Sequence, residues 1–428
     1  MNVTIEKLVY GGDGLAHSDG NTVFVPFVLP GESVTVRPVE RKKKFVRAAL
    51  AQVLTPSPER VAPACSHFMA CGGCHYQHIP YESQLQHKAA ILRETLGRIG
   101  KVKWEGEIHA LASPPLGYRN RAQWKVRWTE DGGEQRGIIG YNRAASAAVI
   151  SVEQCPILVP ALQEALQSLR AAVADGALPA TLREIEAFCD GDGAQILLNA
   201  SFTHFDGSGR RILDALRIAV PSAASILLHH AQKDHFELDG PGFIPYSVGE
   251  HSFRVGHLSF FQVNRYLVAA MQQHAVAEER GALALDLFAG VGLFAVPLAQ
   301  HFERTIAVES NEAAVRDLRA NADDAGLKVQ AVVGDAARYL SSAKDAPDLV
   351  VLDPPRAGIG TDTVAALRKL APKRITYLSC DPATLARDLA GLLSGEGAGA
   401  RYALRDVRLF DVFPQTFHIE TLVRLELA

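Results

Sequence analysis

No apolar run in this chain approaches the roughly twenty residues that a membrane-spanning helix needs. The opening Met-Asn-Val-Thr-Ile-Glu-Lys lacks the charged-then-apolar pattern of a secretory leader, so the expected compartment is the cytoplasm. Cysteine is scarce, with 6 in 428 residues, and in a reducing compartment a disulfide framework is not expected. Positive charge is not in surplus either. The 44 Lys and Arg stand against 47 Asp and Glu, for a net charge of -3, which excludes wholesale coating of nucleic acid while leaving room for local basic patches. What is present, 48% hydrophobic and 21% charged residues, is an ordinary globular composition long enough for two or three domains.

The few cysteines are not scattered. Cys65, Cys71 and Cys74 crowd within ten residues, a spacing suited to zinc or to three corners of an iron-sulfur cluster, and either needs a fourth ligand. Cys155, in Glu153-Gln-Cys-Pro156, is the first candidate, with His67, His75 and His78 as alternatives that would favour zinc. Thiolates alone, with Gly72-Gly73 letting the backbone fold around the group, lean toward a cluster. Cys380 is different again. It closes the apolar run Arg374-Ile-Thr-Tyr-Leu-Ser-Cys380 and is followed by Asp381-Pro382, so it stands where a strand stops. In an open parallel sheet ligands gather at the carboxyl ends of strands, which makes covalent catalysis by this thiol the leading idea.

Short β-rich segments over residues 1–55, punctuated by Gly and Pro, predict a small barrel. Its run Arg41-Lys42-Lys43-Lys44 reads first as a solvated loop and second as a phosphate-contacting hairpin. Residues 81–99 carry Leu85, Ala89, Leu92, Leu96 and Ile99 at helical steps, and the expectation is a packing helix with no further role. In Tyr118-Arg-Asn-Arg-Ala-Gln-Trp-Lys-Val-Arg-Trp128, period two puts Arg119, Arg121, Lys125 and Arg127 on one face of a strand; with no acid among them, they are expected to lie along RNA. Residues 160–240 carry no chemical motif.

From 281 onward short apolar segments alternate with helical ones, as a doubly wound sheet requires. Chemistry-bearing residues stand at their ends. Gly290 and Gly292 let the backbone approach a cofactor, and Glu309, about twenty residues on, can grip ribose hydroxyls. Gly334-Asp335, Asp353-Pro354-Pro355-Arg356 and Ser379-Cys380-Asp381 close the next three.

Phe260-Phe-Gln-Val-Asn264, Asp286-Leu-Phe-Ala-Gly-Val-Gly292, Asp353-Pro-Pro-Arg356, Ser379-Cys-Asp-Pro-Ala-Thr-Leu-Ala-Arg-Asp388 and Asp411-Val-Phe-Pro-Gln-Thr-Phe-His-Ile-Glu420 together resemble the RNA uracil-5-methyltransferases. Lys7-Leu-Val-Tyr-Gly-Gly-Asp-Gly-Leu-Ala16 with Val23-Phe-Val-Pro26 looks like their TRAM domain. The four cysteines match the [4Fe-4S] pattern of the 23S ribosomal branch. The resemblance implies an α/β protein with a class I Rossmann-like S-adenosylmethionine domain at 256–428. An oligonucleotide-binding TRAM barrel would occupy 1–55, and a central α+β domain at 56–255 would carry the cluster and the basic strand, with the helix at 81–99 free to pack on the catalytic domain.

It further implies Cys380 as nucleophile, Glu420 as general base, Gln262, Phe288, Glu309, Asp335 and Asp353 as donor contacts beside Gly290 and Gly292, and Cys65, Cys71, Cys74 and Cys155 as cluster ligands. Leu293 departs from the ribosomal branch, which carries Asn there. The expected partner is RNA, 23S rRNA ahead of the tRNA T-loop, and the expected state a monomer. A target uridine must leave its stack to expose carbon 6, and Tyr377 and Phe413 are the aromatics that could stack on it. Two readings of other classes compete. An amino-methyltransferase usually follows its Asp-Pro-Pro turn with an aromatic where Arg356 stands here, and a non-catalytic RNA-binding iron-sulfur protein would have no use for Cys380 and Glu420.

Overall fold

In a computed structural model that describes residues 1–131, 134–205, 209–276, 279–395 and 398–428, the strands of the described residues gather into three large sheets and a two-stranded hairpin. The N-terminal sheet runs Asn2–Thr4, Ser33–Arg41, Phe45–Thr55, Asn21–Pro26, Asp13–Ser18, Lys7–Leu8. Alternate side chains point inward, so Val3, Ile5, Val23, Val25, Val34, Val36 and Val46 form a core of their own. The strand Asp13–Ser18 carries a glycine in its interior. Gly14 is there for close packing, since a Cβ would come within 2.4 Å of Val28 and 2.8 Å of Ile5. Arg41 to Lys44 are exposed at the turn between two strands, with Lys42 paired to Glu40 at 2.9 Å, which is the solvated reading.

The central sheet runs Val149–Ser151, Glu134–Asn142, Arg121–Asp131, Leu182–Cys189, Ile196–Phe202, Ala223–His230, His235–Asp239. Helices Pro160–Ala174 and Arg210–Ala219 cover it through Leu162, Leu166, Leu169, Leu213 and Leu216. Here the structure corrects the all-cation face expected of the basic strand. The acids come from the adjacent strand, where Glu184 lies opposite Lys125 and ion-pairs with it, while Glu186 holds Arg121 at 2.8 Å. Arg121 also stacks over Phe188 at 4.5 Å. Cross-strand partners are invisible to a search along one segment.

The C-terminal sheet is ordered Val329–Val333, Phe302–Glu309, Gly281–Leu287, Leu349–Leu352, Arg374–Ser379, Glu420–Leu427, Tyr402–Phe410, His109–Leu111. Its first five strands are parallel and the sixth is antiparallel to them. Strands covered on both faces read as continuous apolar runs, and Leu349 to Leu352 are all 0% exposed. The helix Tyr81–Ile99 belongs to this sheet's packing: Ile91, Leu92 and Leu96 share a core with Leu385, Leu389 and Leu392 of the helix Pro382–Leu393. Among the described residues no helix is long and apolar enough to cross a membrane.

Candidate active site

The parallel strands end along one edge, and each leaves a side chain or turn there. After Leu287 the chain turns through Phe288 and Gly290 at φ of +65° and +53°, conformations that favour glycine, and nothing lies where a Cβ on Gly290 would project. The Glu309 carboxylate, at the end of the neighbouring strand, accepts the Gly290 amide at 3.0 Å and the Asn311 amide at 2.7 Å. Asp335 caps the helix Ala336–Ser342 by accepting the Arg338 amide. Asp353 accepts from the Gln262 side chain at 3.2 Å. This half of the site is mostly backbone turns and caps, with Gln262 reaching in from 91 residues before Asp353.

Cys380 and Glu420 stand further along the same edge. Gln262, Phe288, Gly290, Glu309, Asp335, Asp353, Cys380 and Glu420 all line one cleft of about 900 Å³. Gly292 lies behind it, packed on Leu318, and Leu293 lines the cleft while its carbonyl accepts from Gln272 at 2.9 Å. Arg356, Phe413 and His418 complete the wall beside the thiol, and Arg119 and Arg121 reach in from the central sheet. Tyr377, by contrast, is removed from consideration as a stacking ring, because it is fully buried with its hydroxyl donating to Asp388 at 2.9 Å. Phe413 keeps that place.

Three acids and one guanidinium share the cleft floor. Burial, then the Glu420 and Asp353 carboxyls, push the Cys380 thiol up to about 12, with Arg356 pulling the other way. Burial raises Asp353 to about 7 and lifts Glu420 well above the carboxylate range, where Asp353 adds to the effect and Arg356 again opposes it. At neutral pH the thiol therefore holds its proton, and burial shifts the Glu420 carboxyl in the same direction. A cation brought into the cleft would favour loss of either proton, so the site is poised to respond to a positively charged ligand.

His418, which the residue-by-residue reading passed over, lies 3.5 Å from Arg356 and is kept neutral: burial, then Arg356, lower it to about 3. Its only sequence signal was a histidine two residues before Glu420 in a motif already singled out. Another contact comes from the N-terminal sheet. The Tyr10 hydroxyl donates at 3.0 Å to Asp381, the residue after the thiol, whose other oxygen caps the helix Pro382–Leu393.

Cys65, Cys71, Cys74 and Cys155 line a second cavity of about 340 Å³, together with His67 and His75, and it shares Arg119, Arg356, Phe413 and His418 with the cleft. The Cys71 sulfur accepts the Gly73 amide at 3.4 Å, and the Cys155 amide is held by Gln163 at 2.7 Å. Among the described residues no three His, Cys, Asp or Glu side chains form a group that could hold a metal ion. His78 faces elsewhere, its Nε2 lying 3.3 Å from the Val28 carbonyl.

Comparison with known proteins agrees with this layout. Residues 343–428 match the family described as tRNA (Uracil-5-)-methyltransferase, residues 1–59 the TRAM domain of tRNA (uracil(54)-C(5))-methyltransferase, and residues 284–372 a methyltransferase domain. The chain is 34% identical to a 23S rRNA (uracil(1939)-C(5))-methyltransferase RlmD of Alkalilimnicola ehrlichii, over 99% of this chain and 95% of that one. It is 33% identical to the protein of the same name from Pseudomonas entomophila, over 100% and 93%. A solved structure of Pyrococcus abyssi tRNA (uracil-54, C5)-methyltransferase in complex with S-adenosyl-L-homocysteine covers 99% of this chain and 100% of its own, with a TM-score of 0.74 and 25% identity.

Proposed function

The chain belongs to the RNA uracil-C5-methyltransferase family, and we propose that it acts in the cytoplasm, as a monomer, to methylate carbon 5 of one uridine of 23S rRNA through a covalent adduct on Cys380. The observation that carries this is the meeting of Cys380, Glu420 and Arg356 in the same cleft as the glycine turn and Glu309. Full-length relatives named for 23S rRNA favour the ribosomal substrate over the tRNA T-loop.

S-adenosylmethionine supplies an electrophilic methyl group on a positively charged sulfur. Gly290, Glu309, Asp335, Asp353, Gln262 and Phe288 would hold it, and the open space beside Gly290 fits that use. Cys380 gives its proton to solvent and its sulfur bonds to carbon 6 of a uracil turned out of its stack, with Phe413 as stacking partner. The ring's double-bond electrons move toward oxygen 4. Carbon 5 then takes the methyl group, and the old donor bond leaves with its electron pair on sulfur. The Glu420 carboxylate removes the proton now displaced on carbon 5, the double bond re-forms, and the carbon 6 to sulfur bond breaks to return Cys380. Arg356 faces the thiolate and the enolate-like oxygen as their counter-charge.

The four thiols around one cavity fit ligation of a [4Fe-4S] cluster by Cys65, Cys71, Cys74 and Cys155, a group wider than a single ion. Such a cluster supplies cross-links between chain segments. Nothing in the reaction above moves an electron through it, and the segments it would join, residues 65–74 and 155, border the cleft.

The test is incubation with tritiated-methyl S-adenosylmethionine and, separately, unmodified 23S rRNA and tRNA, followed by nucleoside analysis. Label in 5-methyluridine from 23S rRNA alone is the expected result. Label from tRNA alone would change the substrate, and none from either would overturn the reaction.

A further inference from the structure

The loop between the strands Tyr402–Phe410 and Glu420–Leu427 supports itself only in part, through Thr416, whose amide and hydroxyl donate to the Phe413 carbonyl at 3.3 and 2.9 Å and whose hydroxyl accepts the His418 amide at 3.2 Å. Five consecutive carbonyls, Asp411 to Gln415, each accept from a donor brought from elsewhere in the chain. Asn264 donates to the carbonyls of Asp411 at 3.4 Å and Val412 at 3.1 Å. Lys88 donates to that of Phe413 at 3.0 Å and Tyr118 to that of Pro414 at 3.0 Å. The amides of His75 and Tyr76, next after Cys74, donate to that of Gln415 at 2.8 and 2.9 Å.

Gln415 is where two of these supports meet. Its backbone is left-handed, with φ of +68°. Its amide donates to the Gln84 side chain at 2.9 Å, and its own side-chain oxygen accepts from Gln84 at 2.9 Å. Gln84 also reaches the carbonyls of Tyr76 at 3.1 Å and Ile79 at 2.9 Å. Gln84 and Lys88 are both 0% exposed, so these bonds lie out of water, where a missing partner is costly.

We propose that Gln84 and Gln415 are positioning residues: through them the helix Tyr81–Ile99 and the cysteine-bearing segment jointly set the loop that presents Phe413, His418 and Glu420 to the uracil. The cysteine segment thereby has a route to the chemistry that requires no electron transfer. The rate part of this inference rests on the uracil-methylation reading; the loop-order part does not.

Gln84→Glu keeps the shape but replaces the donating amide with an acceptor facing three carbonyl-type oxygens. Gln415→Gly keeps the left-handed backbone and removes the side chain. In the intact protein, hydrogen exchange of residues 411–418 should quicken about tenfold or more in both variants while the N-terminal barrel keeps its protection. kcat should fall about tenfold or more with KM for S-adenosylmethionine within about twofold, because the donor is held at the other end of the cleft. If Gln84→Glu proves insoluble, Gln415→Gly decides. Unchanged exchange in 411–418, or faster exchange with unchanged kcat, would overturn the proposal, as would loosening spread evenly over the chain. Absence of 5-methyluridine with the unaltered protein would instead sink the reading of function, and the exchange comparison would still judge the clamp.

Discussion

The two halves of the cleft are built differently. The donor side is mostly local: Glu309 holds amides 19 and 2 residues away and Asp335 caps its own helix three residues on, while Gln262 reaches Asp353 across 91 positions. The nucleophile side is assembled over distance. Lys88 meets Asp411 across 323 positions, Gln84 meets Gln415 across 331, and Tyr10 meets Asp381 across 371. Local backbone devices can be cut one at a time with limited spread. Long-range buried polar contacts fail together, because each leaves a dehydrated partner behind.

The sharpest cut falls on the long-range side. Lys88 and Asp411 pair at 2.6 Å with both side chains fully buried; burial pulls the lysine pKa down and Asp411 pulls it back. Lys88→Met leaves a buried carboxylate without its counter-charge and should cost about 3–5 kcal/mol of stability in a denaturant titration. Lys88→Met with Asp411→Leu should recover most of that loss, since an apolar pair of similar volume needs no partner. Equal destabilisation in single and double variants would mean that the pair is not coupled as the structure places it.

On the local side, Glu309→Gln weakens the acceptor for two amides and should raise KM for S-adenosylmethionine about tenfold to a hundredfold, the loss of charge-assisted bonds worth about 1.5–3 kcal/mol. Its unfolding midpoint should stay close to that of the unaltered protein.

These differences also explain what could be read from the sequence. The parallel strands announced themselves as apolar runs such as Leu349-Val-Val-Leu352, and Gly290, Glu309 and Cys380 stood at recognisable ends. The helix Tyr81–Ile99 was equally clear as a helix. Its role was not, because Gln84 and Lys88 look like surface residues until the loop that buries them is in view. The acids beside the basic strand were missed for the same reason: Glu184 and Glu186 sit some sixty residues from Lys125 and Arg121, with which they pair. Strand pairs and loop supports at that distance leave no local periodicity.

The thiol offers a pH test of the cleft floor. With its pKa pushed up to about 12, Cys380 in the cofactor-free protein is almost wholly protonated at pH 7. Alkylation read at the Cys380 peptide should be slow there and climb with pH through the alkaline range. Arg356→Ala, which removes the one charge pulling the other way, should slow it further. Fast alkylation at neutral pH without cofactor would contradict the electrostatics described for the cleft floor.

The smallest effect is expected at the contact made by the N-terminal sheet. Tyr10→Phe removes one hydroxyl bond to Asp381 and should lower the methylation rate about twofold to tenfold, in line with about 0.5–1.5 kcal/mol for a single hydrogen bond. Loss of RNA binding with an unchanged single-turnover rate would show that the N-terminal sheet touches RNA without steadying the turn that carries the thiol.

The central claim is that Cys380 makes the adduct and Glu420 resolves it. Glu420→Gln, incubated with unmodified 23S rRNA and S-adenosylmethionine, should form 5-methyluridine more slowly by about 10²–10⁴-fold. It should also accumulate a protein–RNA complex that survives denaturation and maps by mass spectrometry to a methylated uridine on the Cys380 sulfur. Adding Cys380→Ala to that variant should abolish the complex. A complex that persists without Cys380, or free 5-methyluridine released at the unaltered rate by Glu420→Gln, would contradict the account.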